Sequence, residues 1–308
     1  MRKVYPKAQI SFLTSCRCQD IVSDYEGVNR IITFDRHGKH KGLLNRLRFT
    51  ADLRKEKFDL IIVLKGSLNY IFMGVPNVWC AKRQASKKYR HPVDKHVDLL
   101  HFHGVNTEDV SFSFNLTKAD DVFWEDFSKK EGVLPNDTLI GILPLAAWSL
   151  KSWPIERWNK LAEILKNQYG IKVLNLAKMP NSDLGRRVAK EISKEIIPAD
   201  KTSLSQAKAL LKHCQIFIGP DSSLLHLSSC MGVETVGLYG ATSGEHFYPY
   251  FHRHNIVFPE RKLSCVPCYP GKKPACCANG TKRDFGACME EIPVESVLGI
   301  IQEKLNLR

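Results

Sequence analysis

Two α/β domains, each a parallel sheet covered by helices and facing a common cleft, are what this sequence predicts. Three observations lead there. Its 308 residues are too many for one ordinary core and suit two domains of about 150 residues. Short β-branched runs alternate with amphipathic helical stretches along the chain, the pattern of a helix-covered parallel sheet. A charged segment over residues 123–137, ending in Leu-Pro-Asn-Asp, interrupts that alternation and reads as a linker. The expected domains are therefore 1–130 and 131–308.

In the first half, strands are expected at 9–13, 30–34 and 60–64. Between the last two, Leu43, Leu44, Leu47, Ala51 and Leu53 recur at helical spacing, and a further helix is expected over 93–102. The second half restarts with a strand at 138–143, a loop through Pro154 and a helix at 155–168. A strand at 172–176 and a helix near 183–192 follow. Next come a helix at 203–213, a strand at 215–219, a helix at 222–231, a strand at 235–239 and a closing helix at 294–305. Two such halves imply ligand binding between them, at the C-terminal strand ends.

No apolar run approaches the ~20 residues that cross a bilayer, and no signal-peptide core follows Met1-Arg2-Lys3. The expected location is cytoplasmic. A net charge of +13 favours an anionic partner. The basic residues are spread out, with modest clusters at 39–41, 82–90 and 272–273, and no nucleic-acid-binding module is recognisable. Nucleic acid is thus excluded as the expected partner, while an anionic membrane face or glycolipid fits.

The stretch 216–227 carries the most chemistry. An apolar strand, Ile216-Phe217-Ile218, ends at Gly219-Pro220, and Asp221-Ser222-Ser223 supplies N-cap residues for a helix. A helix start leaves N–H groups unpaired and carries about half a positive charge, which suits a phosphate. His226, four residues past Ser222, falls on the same helix face. The alternative is that Asp221 or Ser222 only caps the helix and His226 only packs. Upstream, the strand-to-helix loop 144–158 presents Lys151 just before Trp153-Pro154. Both loops lie at C-terminal strand ends, so Lys151 could reach the same anion or could simply be solvated.

Together these segments resemble glycosyltransferase family 9, the heptosyltransferases of lipopolysaccharide core assembly. The resemblance rests on Pro144-Leu145-Ala146 with Lys151-Ser152-Trp153-Pro154, on 220–229, and on Leu238-Tyr239-Gly240-Ala241-Thr242. In the first half it rests on Tyr5-Pro6, 28–35, 58–66 and His91-x-Val93-Asp94-Lys95. It implies a GT-B-type fold of two Rossmann-like domains and an inverting transfer that needs no cofactor. The donor would be a nucleotide-sugar, ADP-heptose, and the acceptor an anionic inner-core lipopolysaccharide at the inner face of the inner membrane. By the same resemblance Lys151 contacts the donor phosphates, and Ser222 and Ser223 hold the pyrophosphate. Asp221 and His226 would shape the pocket, with Thr242 nearby and Thr202 beside the adenine. On the acceptor side it points to Lys65 and the 82–90 cluster.

Family members open with a strand, a Gly-Asp loop carrying the proposed aspartate base, and a helix. Met1 here aligns inside the end of that helix, so the first strand and base loop are expected to be missing and no catalytic base is assigned. Three readings stay open: an active transferase, an inactive or truncated relative that only binds its ligand, and another GT-B enzyme such as a nucleotide-sugar epimerase. Five of the ten cysteines crowd into 265–288. Cys265, Cys268, Cys276 and Cys288 offer zinc-like spacing, set against the preferred reading of reduced thiols in a long loop.

Overall fold

A computed structural model of the chain describes residues 1–23, 25, 27–64, 69–80, 91–106, 110–112, 114, 116–178, 182–261, 263–269 and 284–307. Its contacts divide the chain into two compact units, Met1–Ser111 and Phe112–Arg308.

The first unit runs β1 (Ser11–Thr14), α1 (Gln19–Val22), β2 (Arg30–Thr33), α2 (Leu43–Lys55), β3 (Leu60–Val63), β4 (Asn77–Cys80) and α3 (Pro92–Phe102). Two separate parallel ladders result. Ser11 registers with Arg30 in one, and Leu60 with Asn77 in the other. Of these four strands only Val63 is buried. Helix α3 starts where His91 accepts the Val93 N–H, with Pro92 in the first turn, where a missing N–H costs nothing. Its Leu99 is fully buried.

The second unit opens with α4 (Lys118–Lys130), in the segment expected to be a linker. The division between units accordingly falls after Ser111 and not near 130. What holds α4 is local and tertiary together. Thr117 and Asp120 cap each other's backbone N–H groups, and Asp120 also accepts from the Ser205 hydroxyl at 3.0 Å. Trp124 stacks on His213 at 3.8 Å. Charge along the helix surface hid these two anchors.

The unit continues with β5 (Leu139–Ile142), α5 (Ile155–Tyr169), β6 (Lys172–Asn175), α6 (Asp183–Glu191), β7 (Ile196–Pro198), α7 (Leu204–His213), β8 (Ile216–Pro220), α8 (Ser223–Cys230), β9 (Glu234–Leu238), β10 (Ile256–Val257), α9 (Ala287–Glu290) and α10 (Val294–Leu305). Its sheet has six parallel strands in the order β10-β9-β8-β5-β6-β7. Every residue of β5 and β8 is buried, as parallel strands covered on both faces require. Gly141 in β5 is needed for packing: a Cβ there would come within 2.9 Å of Leu176 Cδ1 and 3.0 Å of Phe217.

Helix α5 buries Ile155, Trp158, Leu161, Ala162 and Leu165, one stripe at helical spacing. It ends on Gly170, whose φ of 64° suits glycine and whose N–H returns to Leu165 and Lys166. Among the described residues no helix is long and apolar enough to cross a membrane.

Candidate functional site

Strand order alone locates a site in the second unit. Numbered from β5, the sheet has the 3-2-1-4-5-6 order of dinucleotide-binding folds, and the chain reverses direction between β5 and β8. Ligands bind outside the carboxyl ends of the strands at such a switch point. The two loops there are 143–154, after β5, and 221–222, after β8. They carry Lys151, Asp221 and Ser222.

The first loop is a rigid mount. Trp153 is fully buried, packs edge-on against Trp158 at 4.8 Å, and donates its indole N–H to the Ile292 carbonyl at 2.9 Å. Buried Ser152 accepts the Ala146 N–H at 2.8 Å through its hydroxyl oxygen, closing the loop on itself. A Cβ on Gly286 would meet the Leu150 carbonyl at 2.4 Å, so the chain beneath the loop must be glycine. These anchors hold the 3-10 turn Ser149–Lys151, from which the lysine projects.

In the second loop, Ser222 is the N-cap of α8, accepting the Leu225 N–H at 3.2 Å. A serine oxygen that accepts still has its own proton to give, so capping leaves Ser222 a donor for a ligand. Ser223, exposed, is the first helical residue; its N–H and that of Leu224 have no intrahelical acceptor.

Asp221 ties the two loops together. The Lys151 ammonium donates to the Asp221 carbonyl at 2.7 Å and to Oδ2 at 3.2 Å, while His226 Nε2 lies 3.1 Å from Oδ1. Burial pushes the Asp221 carboxyl toward the neutral form, but the bonds and charges of His226 and Lys151 prevail and hold it below the usual carboxylate range. The same burial, with the Asp221 charge added, raises the fully buried Tyr239 phenol well above its ordinary value. That phenol donates to the Phe247 carbonyl. A lysine ammonium is thereby stationed at the open end of a helix, held by groups that a stronger anion can replace.

Two further expected residues line the same edge of the sheet. Thr202 follows β7 and donates to the Ala199 carbonyl at 2.8 Å. Three strand spacings separate β7 from β8, roughly 14 Å. Thr242 follows β9, is buried, and bridges to Tyr269. Thus Lys151, Asp221, Ser222 and His226 meet directly, Ser223 adjoins them, and Thr202 and Thr242 flank them without contact. Lys65, the 82–90 cluster, Lys272, Lys273 and Cys276 lie outside the described residues. Cys288 is buried under Gly240, where a Cβ would sit 2.6 Å from its sulfur. Among the described residues no three His, Cys, Asp or Glu side chains are grouped as metal ligands.

Sequence reasoning missed the buried Tyr239, whose phenol donates to the Phe247 carbonyl, and the anchoring part played by Trp153. Both had a signal, since each sits inside a quoted motif, Leu-Tyr-Gly and Lys-x-Trp-Pro.

Against the known proteins, residues 76–276 match the model of glycosyltransferase family 9 (heptosyltransferase). The chain belongs to that family. Lipooligosaccharide heptosyltransferase 2 of Haemophilus influenzae is 24% identical over 82% of this chain and 80% of its own length. The crystal structure of the glycosyl transferase family 9 protein from Veillonella parvula superposes with a TM-score of 0.83 at 20% identity, covering 100% of this chain and 91% of that one. The structure of the E. coli ADP-heptose lps heptosyltransferase II gives 0.72 at 19% identity, covering 99% and 92%. E. coli heptosyltransferase WaaC with ADP-2-deoxy-2-fluoro heptose gives 0.63 at 14% identity, covering 98% and 92%. The fold is the α/β GT-B heptosyltransferase fold. These coverages lend no support to the expected N-terminal truncation.

Proposed function

We propose that this glycosyltransferase family 9 member transfers heptose from ADP-heptose to an anionic inner-core lipopolysaccharide acceptor. The transfer inverts the anomeric centre, and the enzyme works peripherally at the cytoplasmic face of the membrane. The observation that carries the donor half of this reading is the Lys151 ammonium at the start of α8, across the switch point of a nucleotide-binding sheet.

In the reaction an acceptor hydroxyl attacks the anomeric carbon while the carbon–oxygen bond to the diphosphate breaks. Negative charge grows on the departing phosphate. Lys151, the Ser222 hydroxyl and the first N–H groups of α8 are placed to receive it without reorganising. Asp221 then serves as the lysine's resting partner, so the ammonium need not be desolvated anew in each cycle. Thr202, about a nucleoside's length along the sheet edge, is assigned to the adenine end, and Thr242 to the sugar side. The proton of the acceptor hydroxyl needs a base, which we leave unassigned.

The supporting parallels are the E. coli ADP-heptose lps heptosyltransferase II and the E. coli heptosyltransferase WaaC with ADP-2-deoxy-2-fluoro heptose. Calorimetry with ADP tests the site. Lys151→Ala is expected to weaken ADP at least tenfold, and Ser222→Ala by a smaller factor because a hydroxyl is a neutral donor where the lysine is charged, even though its loss also uncaps α8. Unchanged affinity in both variants would overturn the assignment. Wild-type ADP binding without acceptor-dependent release of ADP from ADP-heptose would instead favour a binding protein over a transferase.

A further inference from the structure

Helix α2 is amphipathic the wrong way round for a soluble surface. Its inward side is well anchored. Thr50 and Leu53 are buried, and the ring of Phe49 lies 4.4 Å from His40, which itself stacks on Phe34 at 5.2 Å. His40 Nδ1 accepts the Asp35 N–H at 2.9 Å. The loop into the helix is fixed as firmly: the Asp35 carboxylate accepts N–H groups from His37, Gly38 and Lys39 at 3.2, 2.8 and 3.1 Å. Gly42, at φ 85°, then delivers the chain into the first turn in a conformation that suits glycine.

With that side pinned, the other side cannot roll inward. Leu43, Leu44 and Leu47 are 74%, 71% and 49% exposed, and Ala51 is exposed with them. At 100° per residue these four span about 100° of one face, with exposed Arg54 on the same arc nearer the helix end. The 3-10 turn Asn69–Met73 packs against α2 and carries two more exposed apolar side chains, Ile71 and Phe72, at 60% and 64%. Around the patch stand exposed Lys39, Lys41 and Arg48. Five large apolar side chains beside three cations suit a surface that is oily below and negative at its rim.

We propose that the outward face of α2, with Ile71 and Phe72, docks this protein on an anionic lipid bilayer. The leucines enter the acyl boundary, and Lys39, Lys41 and Arg48 meet the headgroup phosphates. Charge complementarity selects this occupant: a hydrophobic protein partner has no need of the cationic surround, whereas each lysine or arginine near an anionic leaflet adds to binding. The inference rests on the peripheral-membrane reading given above and names the surface for it, while the donor assignment is tested separately by ADP binding.

Flotation with vesicles of phosphatidylcholine and phosphatidylglycerol at two to one, against phosphatidylcholine alone, tests it. The wild-type chain is expected to float with the anionic vesicles and not with the neutral ones. The triple variant Leu43→Ser, Leu44→Ser, Leu47→Ser is expected to lose at least ten-fold in partitioning, as is Lys39→Glu, Lys41→Glu, Arg48→Glu. The far-ultraviolet circular dichroism and thermal unfolding of the leucine variant should match those of the wild type, which separates loss of docking from misfolding of the first unit. Undiminished flotation of the leucine variant would overturn the proposal, since general basic charge would then suffice. So would a wild-type dimer by light scattering that the leucine variant abolishes while neither protein floats; the patch would then be covered by a second copy.

Discussion

Strands in the two units of this chain have similar lengths and similar parallel pairing, yet they differ in what surrounds them. In the second unit β5 and β8 are wholly buried in a six-stranded sheet, with Trp158 and Leu165 of α5 and Trp153 of the preceding loop packed into one core. In the first unit each ladder has two strands, Val63 is the sole buried strand residue, and α2 turns three leucines to solvent. The contrast teaches where each kind of work can be done. The diphosphate contact proposed for Lys151 asks for a side chain held to within a fraction of an ångström, and a saturated core provides that. A surface that meets a large, laterally mobile lipid need not be so exact, and its apolar groups are of use only outside.

The sharpest way to break this comparison is Trp153→Ala. It removes a fully buried indole, while the Ile292 carbonyl keeps its bond from the Arg157 guanidinium, so a loss of about 3–5 kcal/mol is expected in the second unit's unfolding free energy, read by denaturant titration. A shift under ~1 kcal/mol would show that the loop is not the rigid mount described. Next in size is a pair within α2: Leu53→Ala should cost roughly 2–3 kcal/mol and Leu43→Ala less than about 0.5 kcal/mol. Equal costs would mean the outward leucines are covered. Asp120→Ala should follow at about 1–2 kcal/mol, read by thermal unfolding, because it removes half of a capping box and the Ser205 bond.

The smallest effect is a pH dependence of the second unit. Burial lowers the proton affinity of His213 and His252. The unfolded chain then binds protons first as pH falls through ~6.5, so stability should decline below that point and be flat above it up to neutrality. Asp221 acts lower still: its depressed value means its ionised form stabilises the fold until pH drops beneath the ordinary carboxylate range. Thermal melts of wild type and His213→Gln between pH 7.5 and 5.5 check the first part, with a shallower slope expected in the variant.

Much of this arrangement was legible in the residues. Helix α10 fell on the residues expected, and β5, β6, β8 and β9 within one or two, because strands buried on both faces are continuous apolar runs. The meeting of Lys151 with the start of α8 was readable from two loops at strand ends. Short strands escaped: β7 contains Pro198 and has three residues, and β10 has two, too few to show any period. Helix α4 was mistaken for a linker because its anchors, Ser205 and His213, are remote in sequence. Which of Asp221 and Ser222 would cap the helix was left open by the residues. Ser222 takes the cap, and the aspartate bridges Lys151 and His226, a choice decided by where Lys151 arrives from a loop seventy residues away.

The indole of Trp153 reaches across 139 residues to the carbonyl of Ile292, just ahead of the final helix. Order of manufacture follows from that. A nascent chain that has exposed only its first 280 residues to solvent has every strand of the second sheet but not the peg on which its lysine-bearing loop hangs. The lysine-bearing loop should therefore set late in synthesis, when the last few dozen residues leave the ribosome. A product cut short before residue 292 would lose both that peg and the core side chains Val294, Val297 and Ile301.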